Sequence, residues 1–225
     1  MSIEIRWLGR VGYEDALELQ EKLVAEKNAA RSLPIRDPQS AIRNSDTLFL
    51  LEHEPVYTIG RTRDQSSLGN RDALPHPVIE INRGGQATWH GPGQLVGYPI
   101  LDLQNHGRDL HRYLRALENV LIETLSTCGI DAQQRDGLTG VWVGEKKIAS
   151  IGVGVRHWIT MHGFALNVCG DLAAFSHITP CGIAGVEITS IERETGASVD
   201  VKSVAHCVAE IFVARFDEMI ANKTH

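Results

Sequence analysis

Cys181 has the sequence setting of a reactive thiol. It lies in His177-Ile178-Thr179-Pro180-Cys181-Gly182-Ile183, a Pro-Cys-Gly turn rather than an apolar helix or strand. A turn can present a thiol to a cleft, and Gly182 leaves the neighbouring backbone N–H open as a donor to an oxyanion. Cys128 and Cys207 fall on helical patterns and Cys169 ends a strand pattern, so these three read as packing residues. A thiol attacks as thiolate, and an unaided cysteine ionises only near about pH 8.5, so a nucleophile needs a base or cation beside it. His90, His162, Lys146 and Lys147 are the candidates. Lys147 opens the apolar run Lys-Ile-Ala-Ser-Ile-Gly-Val, where desolvation favours the neutral amine and suits proton transfer. Lys146 sits in the preceding turn and reads as solvated. The plain alternatives are an inert turn cysteine and a strand-end lysine that reaches out to water.

The second chemistry-bearing stretch is Asn82-Arg-Gly-Gly-Gln-Ala-Thr-Trp-His-Gly-Pro-Gly-Gln94. Gly84-Gly85 and Gly91-Pro92-Gly93 give backbone freedom where a side chain would block close approach. Arg83, Gln86, Thr88, His90 and Gln94 add hydrogen-bonding groups. The stretch is suited either to holding a ligand against its backbone or to forming two tight turns with a polar rim. The ten histidines show no His-Glu-x-x-His or paired Cys/His spacing, so no metal site is expected.

The surrounding elements must position these groups. Apolar runs Val78–Ile81 and Leu95–Leu101 read as strands flanking the Gly-rich stretch. Ile3–Leu8 reads as a first strand. Tyr13–Lys27 reads as a helix burying Tyr13, Ala16, Leu17, Leu23 and Val24, with Glu14 and Asp15 in its first turn. Leu48–Leu51 is a buried-type strand, and 31–46 and 62–77 are polar loops. Asp109 is the predicted N-cap of a helix with Leu110, Tyr113, Leu114, Leu117, Val120, Leu121 and Leu125 at helical spacing, stopped by Gly129. Val141–Val143, the turn Gly144-Glu145-Lys146 and Lys147–Val155 predict a hairpin, and Phe164–Val168 another strand. A last helix starts from Asp200 and buries Val201, Val204, Ala205, Val208, Ile211, Phe212, Phe216 and Met219. The tail Asn222–His225 is expected to fray. The pattern predicts an α/β fold of the α+β type, a single domain over 1–225 with a mixed, largely antiparallel sheet and packed helices.

Composition sets bounds. The 225 residues are 43% hydrophobic and 22% charged, ordinary for a globular protein. Net charge is −6, with a pI near 5.9, which argues against a nucleic-acid partner. No apolar run approaches the roughly 20 residues of a membrane span. The N-terminus lacks the apolar core of a signal peptide. Four scattered cysteines without a Cys-x-x-Cys pair point to reduced thiols and a cytoplasmic location.

Four motifs occur in order: Arg83-Gly84-Gly85-x-x-Thr88-x-His90-Gly91-Pro92-Gly93-Gln94, Lys147-Ile148-Ala149-Ser150-Ile151-Gly152, His162-Gly163-Phe164-Ala165-Leu166-Asn167, and Thr179-Pro180-Cys181-Gly182. On these the chain closely resembles the bacterial lipoyl(octanoyl) transferase family, over nearly its whole length. Trp89 departs from the tyrosine or phenylalanine more usual there, but keeps an aromatic ring. The resemblance implies octanoyl transfer from octanoyl-acyl carrier protein onto a cysteine. The acyl group then passes to the lysine ε-amine of lipoyl domains of 2-oxoacid dehydrogenases or of the glycine-cleavage H protein. It implies Cys181 as nucleophile and Lys147 as its acid/base partner. It implies substrate contacts at Arg83, Gly84, Gly85, Gln86, Ala87, Thr88, Trp89 and His90, at Ser150, Ile151 and Gly152, and at Gly163, Phe164 and Ala165. The implied fold is that of the biotin and lipoate protein ligase catalytic domains. A thioester is already an activated donor, so no ATP, metal or other cofactor is implied. Two rivals remain: an ATP-dependent lipoate or biotin ligase on the same fold, which needs no cysteine nucleophile, and a non-catalytic module that docks acyl carriers.

Overall fold

The computed structural model describes residues 3–33, 45–61, 64–183 and 185–221. Parts of the predicted loops at 31–46 and 62–77, the Asn222–His225 tail and the side chain of Met219 lie outside the described set. The strands are β1 (Ile3–Val11), β2 (Asp46–His53), β3 (Val56–Ile59), β4 (Val78–Glu80), β5 (Thr88–His90), β6 (Gln94–Ile100), β7 (Gln133–Arg135), β8 (Leu138–Val143), β9 (Lys146–Arg156) and β10 (Ile159–Asn167). The helices are α1 (Tyr13–Ala30), α2 (Leu110–Thr127), α3 (Ile191–Thr195) and α4 (Val201–Ala221). The main sheet runs β1-β2-β6-β10-β9-β8-β7, and a small sheet runs β4-β3-β5. Among the described residues the parallel strand pairs are β1/β2 and β3/β4, with one isolated parallel bridge between Lys147 and Ile188, so the sheets are mixed and largely antiparallel.

Period-two alternation divides the main sheet between two cores. Leu48, Leu50, Leu95, Phe164 and Leu166 face α2 and α4, where Leu117, Val120, Leu121, Val208, Phe212 and Phe216 meet them. Phe49, Leu51, Val96, Tyr98, Ile100 and Ala165 face α1, against Ala16, Leu23 and Val24. With helices on both faces, β2 is buried along nearly its whole length, which is why it reads as an apolar run rather than an alternating one. Asp109 caps α2 by accepting from the His111 and Arg112 amides at 2.9 and 3.0 Å. Asp200 does the same for α4, accepting from Ser203 at 2.8 Å. A cap of this kind contributes ~1 kcal/mol.

Some elements differ from the sequence reading. The Gly-rich stretch contains β5, a strand too short for alternation to reveal, and α3 is a single capped turn with a similar lack of signal. Lys27, where the predicted first helix ends, lies inside α1, which runs on to Ala30, and is fully buried. Its ammonium donates to the Ser45 carbonyl and lies 3.5 Å from the Asp46 carboxylate, so a paired charge occupies a core position.

The small sheet positions the Cys181 turn. Tyr57, Ile59, Ala87 and Trp89 pack with Leu172, Phe175 and Ile178, holding the segment before Cys181 against β3 and β5. Beyond the turn, the chain returns to the main sheet. The Lys147 amide donates to the Glu187 carbonyl at 2.8 Å, and the Thr189 amide to the Lys147 carbonyl at 3.0 Å.

Candidate active site

Those backbone bonds bring Lys147 to Cys181. Lys147 Nζ donates to Cys181 Sγ at 3.2 Å and to the Thr139 carbonyl at 3.1 Å. Its side chain is buried, 2% exposed as a residue, with Nζ 5.3 Å from the centroid of the Trp142 ring. Ser150 Oγ is 3.6 Å from the same sulfur. In a regular strand, residues 147 and 150 would face opposite sides. A β-bulge resolves this: Val141 pairs with Ala149 while Trp142 pairs with Lys147, leaving Ile148 as the extra residue. The inserted residue re-aims the side chains and puts Lys147 and Ser150 on the same side. Lys146 goes elsewhere, to an ion pair with Glu194 at 2.6 Å. It is therefore half-exposed and paired rather than simply solvated.

Cys181 has φ +56° and ψ 17°, a left-handed conformation that costs a non-glycine residue ~1–2 kcal/mol and that occurs disproportionately at functional sites. The turn's amides are occupied. Cys181 N–H donates to the Ala87 carbonyl at 3.0 Å, Gly182 N–H to Thr179 at 2.9 Å and Ile183 N–H to Pro180 at 3.1 Å. This corrects the expectation of an open amide beside Gly182. The turn spends its N–H groups on holding the sulfur in place, and the donors left facing the sulfur are the Lys147 ammonium and the Ser150 hydroxyl.

The dyad opens into a cavity of about 430 Å³. Of the predicted substrate contacts, Arg83, Gly84, Gly85, Gln86, Thr88, His90, Ser150, Ile151, Gly152, Gly163, Phe164 and Ala165 line it. Ala87 and Trp89 do not. Alternation along the strand sends them to the opposite side, where Ala87 is fully buried and the Trp89 ring meets Phe175 at 5.5 Å. Ala87 meets the site through its backbone: its carbonyl accepts from the Cys181 amide, and its amide donates to Ser67 Oγ, which donates to Gln86 Oε1. The apolar lining that sequence left unread includes Leu110 and Leu114 from the first turns of α2, Leu138, Val153 and Ile183. Helical spacing identified the two α2 leucines as apolar but gave no sign that they face a cavity rather than core.

Another part of the wall is polar. Arg83 is buried, donating to the Gly84 and Gln86 carbonyls at 2.8 and 3.1 Å and to Thr58 Oγ1 at 3.1 Å. Among the described residues it has no carboxylate within ion-pair distance, and burial pulls its pKa down against the opposing influence of Tyr13, Cys181 and Tyr98. Three histidines lie near it. His53 donates through Nδ1 to the Val11 carbonyl at 3.1 Å, so Nε2 accepts from Tyr98 at 2.7 Å. His90 Nδ1 is 2.7 Å from Gln94 Oε1. The amide nitrogen of Gln94 is turned to the Trp89 carbonyl and to Asn167, which makes His90 the donor. Burial is the main reason these rings are hard to protonate: His53 falls to about 4, His162 to about 4 and His90 to about 3. They are therefore neutral near pH 7, and of the base candidates only Lys147 touches the thiol.

A thiol held against a buried ammonium, opening on a largely apolar cavity, fits an enzyme that carries an acyl group on cysteine. Residues 12–213 match the family described as lipoyl protein ligase A/B catalytic domain, and the chain belongs to that family. Within it, an octanoyltransferase of Geobacter sulfurreducens is 51% identical over 205 residues, covering 91% of this chain and 81% of the relative. An octanoyltransferase of Geobacter metallireducens is 48% identical over 219 residues, covering 96% and 94%. Among solved structures, a bipartite lipoate protein ligase of Thermoplasma acidophilum superposes with a TM-score of 0.64 at 17% identity, covering 98% of this chain and 91% of that one. Biotin protein ligase from Aquifex aeolicus gives a TM-score of 0.54 at 16% identity, covering 96% and 70%. At these identities the structural likeness establishes the fold alone. Among the described residues no helix is long and apolar enough to cross a membrane.

Proposed function

We propose that this chain, acting as one domain, is an octanoyltransferase that carries the acyl group on Cys181 with Lys147 as acid and base. The observation that carries the reading is the 3.2 Å contact between Lys147 Nζ and Cys181 Sγ at an apolar cavity. A ligase that activates its acid with ATP has no use for a cysteine so placed. The identity to octanoyltransferases supports the same choice.

The donor is an octanoyl thioester on an acyl carrier protein, and the acceptor is a lysine on a lipoyl domain or a glycine-cleavage H protein. The Cys181 thiolate attacks the thioester carbonyl, and the carrier's C–S bond breaks. The Lys147 ammonium gives its proton to the departing thiolate, leaving a neutral amine beside octanoyl-Cys181. The acceptor amine then attacks the new thioester, and Lys147 takes a proton from the attacking nitrogen. Breakage of the Cys181 C–S bond restores thiolate and ammonium. Proton transfer of this kind is typically worth ~10²–10⁴ in rate. The Lys147 and Ser150 donors face the sulfur and can reach the developing oxyanion. Free thiols at all four cysteines suit a reducing, cytoplasmic setting.

The test is ATP dependence. Octanoyl-carrier protein and a lipoyl domain should give an octanoylated domain without ATP. Transfer only from free octanoate or lipoate with ATP would replace this reading with the ligase.

A further inference from the structure

Glu118 is a fully buried carboxylate on the apolar face of α2, beside Leu117, Val120 and Leu121. A charge there is costly unless paired and hydrogen-bonded. One oxygen pairs with Arg115, a turn earlier on the helix. The other accepts from the Gly140 amide at 2.8 Å. That amide belongs to the same peptide group as the Thr139 carbonyl, which accepts from Lys147 Nζ at 3.1 Å. Glu118 therefore grips the positive end of one peptide dipole while its negative end is aimed at the catalytic lysine. Bonds in such a chain polarise one another.

The residue at the amide end of that peptide is glycine. Gly140 has φ +127°, and a Cβ placed there would sit 2.6 Å from the Ala149 carbonyl oxygen and 2.7 Å from Lys147 Cε. Only glycine lets the backbone lie this close to β9 and the lysine stem, and glycine itself leaves the adjoining peptide free to rotate.

We propose that Glu118 is a positioning residue for the reaction: through the 139–140 peptide it fixes Lys147 Nζ against Cys181. The proposal rests on the Lys147–Cys181 reading above. Its test uses the whole chain, with Glu118→Leu, Glu118→Gln and Glu118→Asp read by circular dichroism, by the pH profile of Cys181 alkylation with iodoacetamide, and by kcat and KM for octanoyl-carrier protein. Glu118→Leu should slow alkylation at pH 7 about tenfold, displace its profile to higher pH, and lower kcat with KM unchanged. Glu118→Gln keeps an oxygen for the Gly140 amide and should recover most of both. If Glu118→Leu does not fold, Glu118→Asp, whose shorter carboxylate withdraws from Gly140, should show the same displacement in smaller degree. In a Lys147→Met background, Glu118→Leu should add nothing. A wild-type profile in a folded Glu118→Leu or Glu118→Asp protein, or an equal loss with and without Lys147, would overturn the proposal. Unchanged alkylation in Lys147→Met alone would instead overturn the dyad on which it rests.

Discussion

Replacing Lys147 by methionine tests what the buried ammonium does. Methionine is unbranched and flexible, so it can keep the contact over Trp142 while losing the charge and both donors. The Thr139 carbonyl then lacks its partner, which costs ~1–3 kcal/mol for a buried group. For a chain of this size each kcal/mol lowers Tm by ~2–4 °C, so the variant should melt several degrees lower and remain folded. The thiolate loses a hydrogen bond from a charged donor, worth ~1.5–3 kcal/mol. At 1.36 kcal/mol per factor of ten, that predicts iodoacetamide alkylation of Cys181 slower by ~10–150-fold near pH 7. The gap should close above about pH 9, where hydroxide ionises a thiol without help. Octanoyl transfer should fall further, by ~10²–10⁴, because in the mechanism proposed above Lys147 also moves protons in both half-reactions. Equal alkylation rates for wild type and a folded Lys147→Met protein across pH 6–9 would refute the reasoning.

Lys146→Ala removes an ion pair to Glu194 on a half-exposed side chain and should leave the Cys181 alkylation rate unchanged; a loss matching that of Lys147→Met would contradict the assignment of the dyad. Gly163→Ala would place a Cβ 2.2 Å from the Gly97 carbonyl and 2.7 Å from Pro99 Cδ. With backbone as the obstacle, urea unfolding should show a loss of ~1–3 kcal/mol or more, and an unchanged midpoint would show that β6 and β10 can part. His53 and His162 titrate near 4 and His90 near 3, against ~6.5 in an unfolded chain. Between those values the unfolded chain binds protons that the fold refuses. Stability is therefore complete above about pH 6.5 and falls as pH drops toward 4, by up to ~3 kcal/mol for each such ring. Urea midpoints at pH 7, 5.5 and 4.5 should fall in that order, and equal midpoints would contradict it.

The sequence made the dyad legible for a local reason. A cysteine between proline and glycine, and a lysine opening an apolar strand, stand out from their surroundings, and so do the caps Asp109 and Asp200. What joins them was not legible. The bulge at Ile148 is a matter of register between two strands, invisible to alternation along one. The Cys181 amide is occupied by the Ala87 carbonyl, almost a hundred residues earlier, which no local pattern could reveal. The resemblance implies substrate contacts at Thr88, Trp89 and His90 alike; once the segment is seen as β5, alternation separates Trp89 from the other two. Glu118 gave no sign either. A polar residue on an apolar helical face reads as a pattern error until the Gly140 amide is seen to meet it.

The most direct measurement of the central claim is the intact mass of the protein after incubation with octanoyl-carrier protein and no acceptor. Wild type, and Cys128→Ala, Cys169→Ala and Cys207→Ala, should each gain one octanoyl group, and a folded Cys181→Ala protein should gain none. An octanoyl adduct that persists in Cys181→Ala would contradict the account.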